Sequence, residues 1–411
     1  MRTRNYSGIP LLLAAFFIFA APSAARADSL FRLFPEGQAN GFYGDNIPLR
    51  TNNEIGDFGT VLVAGFFLDY TSAARYCSLH YDTFAQLFTH QTQYDRAGEG
   101  QFVGATDDEN ISPTTKLHLD EFYYRDASVV TMVTTSDQSP EFNPALALLL
   151  LANDQASINQ FNAQLQHYWG QQWSSEISVH QTTFFGTGNS SNNSGDSYGQ
   201  YAGAATDYHF SGRFSLGVGY RFFDFRFSAP GQPGEQAHWP FVRGTWQVMK
   251  NLFLSGMVGV VISHTQGQSG DQVNPGGLGL LEYQFEHGTL SLSGGEEPTL
   301  TSAYGTVGNI RGVRGNVLYD FTPRLTGSAG GSYYDSSGND FSGKFASWGV
   351  GLSQRVNKWL SVNARFIQIR RSETTTSQFL PSNNESGQWA VGDYYVIGLA
   401  VSIEAFRWSW Q

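Results

Sequence analysis

The segment Asn251-Leu252-Phe253-Leu254-Ser255-Gly256-Met257-Val258-Gly259-Val260-Val261-Ile262-Ser263-His264 decides the fold class. Side chains alternate between the two faces of a β-strand. Leu252, Leu254, Val258, Val260 and Ile262 therefore share one face, while Phe253, Ser255, Met257, Gly259, Val261 and Ser263 share the other. The first face suits lipid; the second is smaller and more mixed. Behind the segment lies the turn Met249-Lys250-Asn251, and ahead of it the polar, glycine-rich stretch Gln266 to Gly276. A short turn at one end and a long loop at the other is the rhythm of an all-β, transmembrane antiparallel up-and-down β-barrel.

The rhythm continues in both directions. Short turns are predicted at Ser72 to Arg75, Ser112-Pro113-Thr114, Trp169-Gly170-Gln171, Ser211-Gly212, Met249 to Asn251, Glu286-His287-Gly288, Thr322-Pro323 and Val356-Asn357-Lys358, from their Gly, Pro, Asn and Ser content. Longer connections centre near Thr51, Tyr94, Pro140, Asn192, Pro233, Ser269, Pro298, Ser337 and Gln378. Nine loops and eight turns join 18 strands, with 16 as the fallback if Leu33 to Asp45 or Phe102 to Glu109 is not a strand. A soluble sandwich or propeller also alternates with period two. It would not sort its turns into two alternating length classes, however, and no blade repeat of roughly 40 to 50 residues occurs.

Alternation is clearest in the second half. Phe214, Leu216, Val218, Tyr220 and Phe222 oppose Arg213, Ser215, Gly217, Gly219 and Arg221; Leu360, Val362, Ala364 and Phe366 oppose Ser361, Asn363 and Arg365. Tyr395, Ile397, Leu399, Val401 and Ile403 oppose Tyr394, Val396, Gly398 and Ser402. Arginines on the small-residue face predict a wet lumen, in which Gly259 and Ser361 accept asparagine. Leu254, Val258, Val362 and Leu399 belong to the lipid face. After Phe222 the aromatic phase changes to Phe223, Phe225 and Phe227, which predicts a bulge or the strand's emergence from the bilayer. Phe406, Trp408 and Trp410 fit an interfacial aromatic girdle.

Arg2 and Arg4 precede the apolar run Ile9 to Ala21, and Ala25-Arg26-Ala27 offers the small residues of a cleavage site. Residues 1–27 therefore read as a secretory signal peptide and 28–411 as the barrel, in the outer membrane of a Gram-negative bacterium. With no other run long enough to span as a helix, a closed barrel is the remaining way to cross a bilayer. Charged residues make up 14% of the chain, against ~25% in an average soluble domain. The formal net charge of -11 argues against a nucleic-acid partner. Cys77 stands alone, so it forms no internal disulfide and reads as a small packing residue.

Two His-x-Asp pairs, His80 with Asp82 and His118 with Asp120, each place both members on one strand face, opposite Leu79 and Tyr81 or Leu117 and Leu119. Polar lumen lining is the leading reading. Metal ligation and acid-base chemistry with a serine are its rivals, although no third ligand is fixed by spacing. The remaining lumen candidates are Arg213, Arg221, Arg314 and Arg365 on the basic side, with Glu176 and Glu282 on the acidic side. Facing rows of opposite charge give a pore a transverse field. The connection Ala127 to Gln155 contains the apolar run Ala145 to Ala152 after Pro144; Pro144, Leu146, Leu148 and Leu150 are candidates for a constriction loop. No phosphate loop, Cys-x-x-Cys pair, nucleophile elbow or His-Glu-x-x-His motif occurs, so no cofactor is expected.

Tyr43-Gly44-Asp45-Asn46-Ile47, Glu54-Ile55-Gly56-Asp57-Phe58, Ile111 to Leu119, Asn159-Gln160-Phe161-Asn162-Ala163 leading to Tyr168, and Thr322-Pro323-Arg324-Leu325 are short motifs spread over most of the chain. In these the sequence resembles the β-barrel porin 2 family of outer-membrane barrels. The resemblance implies an association with exopolysaccharide production and export, and hence polysaccharide or an export machinery as partner beside outer-membrane lipid. The ending Trp408-Ser409-Trp410-Gln411 departs from the terminal Phe of such barrels. The expectation is a channel for polysaccharide or other polar solutes. An enzymatic barrel using lumen His and Asp groups, and a closed docking barrel, are the alternatives.

Overall fold

The computed structural model describes residues 29–46, 55–92, 95–127, 156–186, 197–227, 233–267, 269–301, 306–338, 341–375, 389–404 and 406–410. Its strands are β1 (Ser29–Gly44), β2 (Asp57–Thr71), β3 (Arg75–Phe88), β4 (Arg96–Ser112), β5 (Thr115–Ala127) and β6 (Ala156–Tyr168). They continue with β7 (Trp173–Gly186), β8 (Ser197–Ser211), β9 (Phe214–Phe227), β10 (Glu235–Met249), β11 (Leu252–Thr265), β12 (Gln272–Phe285) and β13 (Gly288–Thr301). The last are β14 (Thr306–Thr322), β15 (Leu325–Gly338), β16 (Phe341–Arg355), β17 (Leu360–Thr375), β18 (Trp389–Ser402) and β19 (Phe406–Trp410). Each of β1 to β18 pairs antiparallel with its sequence neighbours, and β1 also pairs with β18 and β19. The ladder closes as an 18-strand barrel in which β18 and β19 form one interrupted stave.

Pro35 explains that interruption. Glu36 pairs with Ser402 and Leu33 with Phe406, so the register shifts by one residue between these two pairs, opposite Phe34 and Pro35. Pro35 has no N–H to give to the ladder; its carbonyl accepts from Ile403 N at 3.2 Å. The extra residue is a bulge and exchanges the parity of the last stave, aligning Trp408 and Trp410 with Phe31 and Ser29 of β1. The side chains of Phe406, Trp408 and Trp410, expected in a girdle, lie outside the described residues.

All the short turns fall where turn chemistry places them. Ser211 Oγ accepts from Arg213 N and Phe214 N, Thr322 Oγ1 from Arg324 N and Leu325 N, and Asn357 Oδ1 from Trp359 N and Leu360 N. Each side chain replaces the acceptor a ladder would supply. Gly170 takes φ 142°, open to glycine at no steric cost. Two loops differ from expectation, since β13 runs through Pro298 to Thr301 and β15 through Ser337 to Gly338. Gln272 to Gly276, read as loop, also belongs to β12. Ladder bonds continue above the bilayer, where side-chain polarity no longer reports where a strand ends. Both doubtful stretches are strand, in β1 and β4, which removes the 16-strand fallback. The connection carrying Pro144, Leu146, Leu148 and Leu150 lies outside the described residues.

The two faces separate clearly on β11, where Val258 is 67% exposed and Val261 only 2%. The outer face carries two aromatic belts. On the short-turn side, ring contacts run Trp173–Tyr208–Phe210–Phe214–Trp246 at 5.0, 4.8, 5.4 and 6.5 Å. On the long-loop side they run Trp348–Phe366–Tyr395–Tyr43–Phe58 at 5.0, 5.0, 6.4 and 4.8 Å. Beyond the second belt the outward residues become charged. Glu296, Arg311, Asp335 and Lys344 follow one another in register across β13 to β16 with alternating sign, and Arg311 meets Asp335 at 2.9 Å.

The change of phase in β9 has the same origin. Its register with β8 and β10 is unbroken through Phe222 and Phe223, so there is no bulge there. Past Phe222 the outward residues are Asp224 and Arg226, paired at 2.8 Å, while Phe223 and Phe225 are buried inside. The strand leaves the bilayer, and its outer face turns polar as its inner face turns aromatic. The interior is accordingly less wet than the arginines suggest. One buried cluster, including Phe42, Phe84, Tyr334, Phe345 and Tyr394, packs on the wall formed by β1 to β3 and β14 to β18. A second, including Ile158, Phe223, Trp239, Phe241 and Val261, covers β6 and β8 to β11. Near the second cluster β8 and β13 come into contact across the interior.

Candidate functional site: the inner wall

Among the described residues, one close group of chemistry-bearing side chains on the inner wall spans β1, β2 and β3. Glu36 pairs in register with Gly65, and Gly65 with Asp82, so the two carboxylates stand at the ends of one three-residue row. The middle position has no side chain, and a Cβ there would collide with Asp82 Oδ1 and the Tyr81 carbonyl. Through this gap Glu36 Oε1 reaches His80 Nε2 at 2.6 Å, and Asp82 Oδ2 reaches the same nitrogen at 2.9 Å. One ring nitrogen carries at most one hydrogen, and so cannot serve two carboxylates. Glu36 Oε1, His80 Nε2 and Asp82 Oδ1 are buried and none has a well-aligned hydrogen bond, despite the short separations. Phe102 and Phe67 wall the imidazole, ring centroids 5.3 and 6.1 Å away.

The second His-x-Asp pair is arranged differently. His118 Nδ1 meets Asp108 Oδ1 of β4 at 2.7 Å, and Asp120 Oδ1 accepts from Thr106 Oγ1 at 3.1 Å. His118 and Asp120 share a face but have separate partners on the neighbouring strand. Glu176 is held by Arg243: Nη1 donates to Glu176 Oε2 at 2.9 Å, while Nε and Nη2 donate to the two oxygens of Asp207 at 2.9 and 2.5 Å. Arg221 lies over the rings of Tyr201, Trp239 and Phe241 at 5.0, 5.5 and 5.5 Å, with Glu297 of β13 in electrostatic range from the other side. Glu282 accepts from Gln284 Nε2 at 3.0 Å, and Arg314 lies beside Tyr334. Gly351 leaves room for the Arg365 stem, whose Cγ would sit 3.2 Å from an added Cβ. Arg213 is placed at the rim, in the exposed turn before β9, because Ser211 closes the turn on its N–H.

Sequence reading passed over Glu36, Arg243, Asp207, Asp108 and Glu297. Arg243 had a usable signal, since it shares parity with Trp239 and Phe241 against Pro240 and Val242. Glu36 had none, because nothing local ties its strand to the third strand along.

A closed ladder, an apolar outer band between aromatic belts and charged groups on the inner wall define a transmembrane β-barrel of the outer-membrane type. No family model and no curated protein matches the chain. Among solved structures it is similar to OccK2 (OpdF) of Pseudomonas aeruginosa, with 12% identity, TM-score 0.45, and coverage of 92% of this chain and 98% of that one. It is also similar to OccAB4 of Acinetobacter baumannii, at 11% identity, TM-score 0.42, and coverage of 93% and 100%. A BenF-like porin from Pseudomonas fluorescens Pf-5 gives 12%, 0.42, and 91% and 99%.

Proposed function

We propose that this barrel is an outer-membrane channel for polar solutes, with passage or export of polysaccharide as the favoured role. The observation that carries the reading is the contrast between the faces: apolar and aromatic outside, and inside a wall bearing Glu36, His80, Asp82, Glu176, Arg243 and Arg314. Charged groups inside a membrane barrel mark a solute path. Polysaccharide is favoured by the family resemblance of Tyr43 to Ile47 and Ile111 to Leu119. An enzymatic role is less well supported, since the partners of His80 and His118 are carboxylates rather than a serine hydroxyl.

A closed docking barrel is the second reading, favoured by the contact of β8 with β13 across the interior. Single-channel recording of the purified protein in a planar bilayer, with and without added oligosaccharides, separates the two. Discrete conductance steps that oligosaccharides block support the channel. A correctly folded barrel with no conductance supports the docking role.

A further inference from the structure

We propose that Glu36, His80 and Asp82 form a binding site for one divalent transition-metal ion, Zn²⁺ in particular, on the inner wall of the barrel. The argument is geometric. Three ligand atoms of different side chains, one imidazole nitrogen and two carboxylate oxygens, lie within 4.8 Å of one another. Such a mixed nitrogen and oxygen set matches the ligand preference of zinc.

A ring nitrogen between two carboxylates is a poor hydrogen-bonding arrangement. If it is protonated, its single hydrogen points at one carboxylate and leaves the other crowded. If it is not, its lone pair faces two anions. The absence of a well-aligned hydrogen bond for Glu36 Oε1, His80 Nε2 and Asp82 Oδ1 expresses that conflict. A dication resolves it, because lone pair and anions all become ligands. At Zn–N and Zn–O bonds of about 2.0 to 2.1 Å, tetrahedral ligand atoms stand about 3.3 Å apart. The present separations from the nitrogen are 2.6 and 2.9 Å, so the Glu36 and Asp82 oxygens need to retreat by only about 0.7 and 0.4 Å.

The fold prepares the site. Gly65 supplies the gap through which Glu36 reaches across β2, and the barrel ladder fixes the register of all three strands. Phe67 and Phe102 hold the imidazole edge-on. Three protein ligands leave the fourth tetrahedral position to a water or a solute oxygen. This takes up the metal reading that sequence spacing leaves as a rival to polar lumen lining.

The test uses the full barrel in detergent, stripped with a chelator and titrated with Zn²⁺, metal content being read after dialysis. Co²⁺ is the spectroscopic probe, because tetrahedral Co²⁺ has intense visible bands. The expected result is one Zn²⁺ per chain, with affinity reduced at least about tenfold in His80→Asn, Glu36→Gln and Asp82→Asn, and loss of the Co²⁺ bands in His80→Asn. Heat-modifiable gel mobility confirms that each variant is a folded barrel. His264→Asn removes an exposed imidazole next to Asp271 and should leave binding unchanged. The proposal is overturned if the wild type retains no stoichiometric metal, or if folded His80→Asn binds as tightly as wild type.

Discussion

Glu36 and Asp82 stand on strands that do not pair with each other, yet their carboxylates meet at one nitrogen of His80 across the bare backbone of Gly65. Gly65 is thus a requirement of the inner wall. Gly65→Ala should displace Asp82 and press on the Tyr81 carbonyl, costing about 1 to 3 kcal/mol as overpacking does. Gly37→Ala, where a Cβ would meet nothing closer than the Val63 carbonyl at 3.7 Å, should be near neutral. Urea unfolding of the two variants measures the difference, and equal midpoints would remove the role assigned to Gly65.

Val258 is exposed on the outer apolar face, so Val258→Arg should cost up to roughly 2 to 4 kcal/mol in a lipid-embedded folding titration. Ser361→Asn, on the inner face, should cost far less. Gly259 does not behave as a wet-lumen position. A Cβ there would collide with the Pro240 carbonyl, Phe241 Cα and Trp239 Nε1. Gly259→Asn is therefore expected to destabilise the barrel clearly, contrary to the reading from alternation alone.

Arg243 satisfies two acids that are largely shielded from water. Arg243→Met leaves Glu176 and Asp207 facing each other without a cation, a loss of about 3 kcal/mol for a shielded pair broken on one side. Adding Glu176→Gln and Asp207→Asn should restore much of it. A triple variant no more stable than Arg243→Met would show that the arginine acts through packing rather than charge.

Trp239 is fully buried at the centre of the inner aromatic cluster. If solute passes beside it, Trp239→Ala should raise single-channel conductance in a planar bilayer while costing about 3 to 5 kcal/mol of stability. Unchanged conductance in a folded variant would place the path elsewhere in the barrel.

Cys77 is buried on the outer side of β3, with Sγ 3.2 Å from Asp107 Oδ1, and Asp107 is also bound bidentately by Arg75. Its thiol should resist a maleimide in the folded barrel and react once the barrel is unfolded, as buried thiols do. Labelling of the native protein at the rate of a free thiol would contradict that burial.

The barrel is written in short stretches of the chain. Period-two alternation as in Leu252 to Ile262 fixes which face meets lipid, and turn residues such as Ser211, Thr322 and Asn357 fix where strands reverse; both are local properties of a few consecutive residues. The parity of His80, Asp82, His118, Asp120, Glu176, Arg221, Glu282, Arg314 and Arg365 was legible for the same reason. Which side chains meet is a property of the closed ladder. The partner of His80 is set by the registers of β1 on β2 and β2 on β3, and that of Glu297 by the approach of β13 to β8 across the interior. The change of phase at Phe222 was visible, but whether it meant a bulge or emergence depended on its pairing with two neighbouring strands. Register and closure are cooperative properties of the whole ladder, and no window of sequence shorter than the barrel contains them.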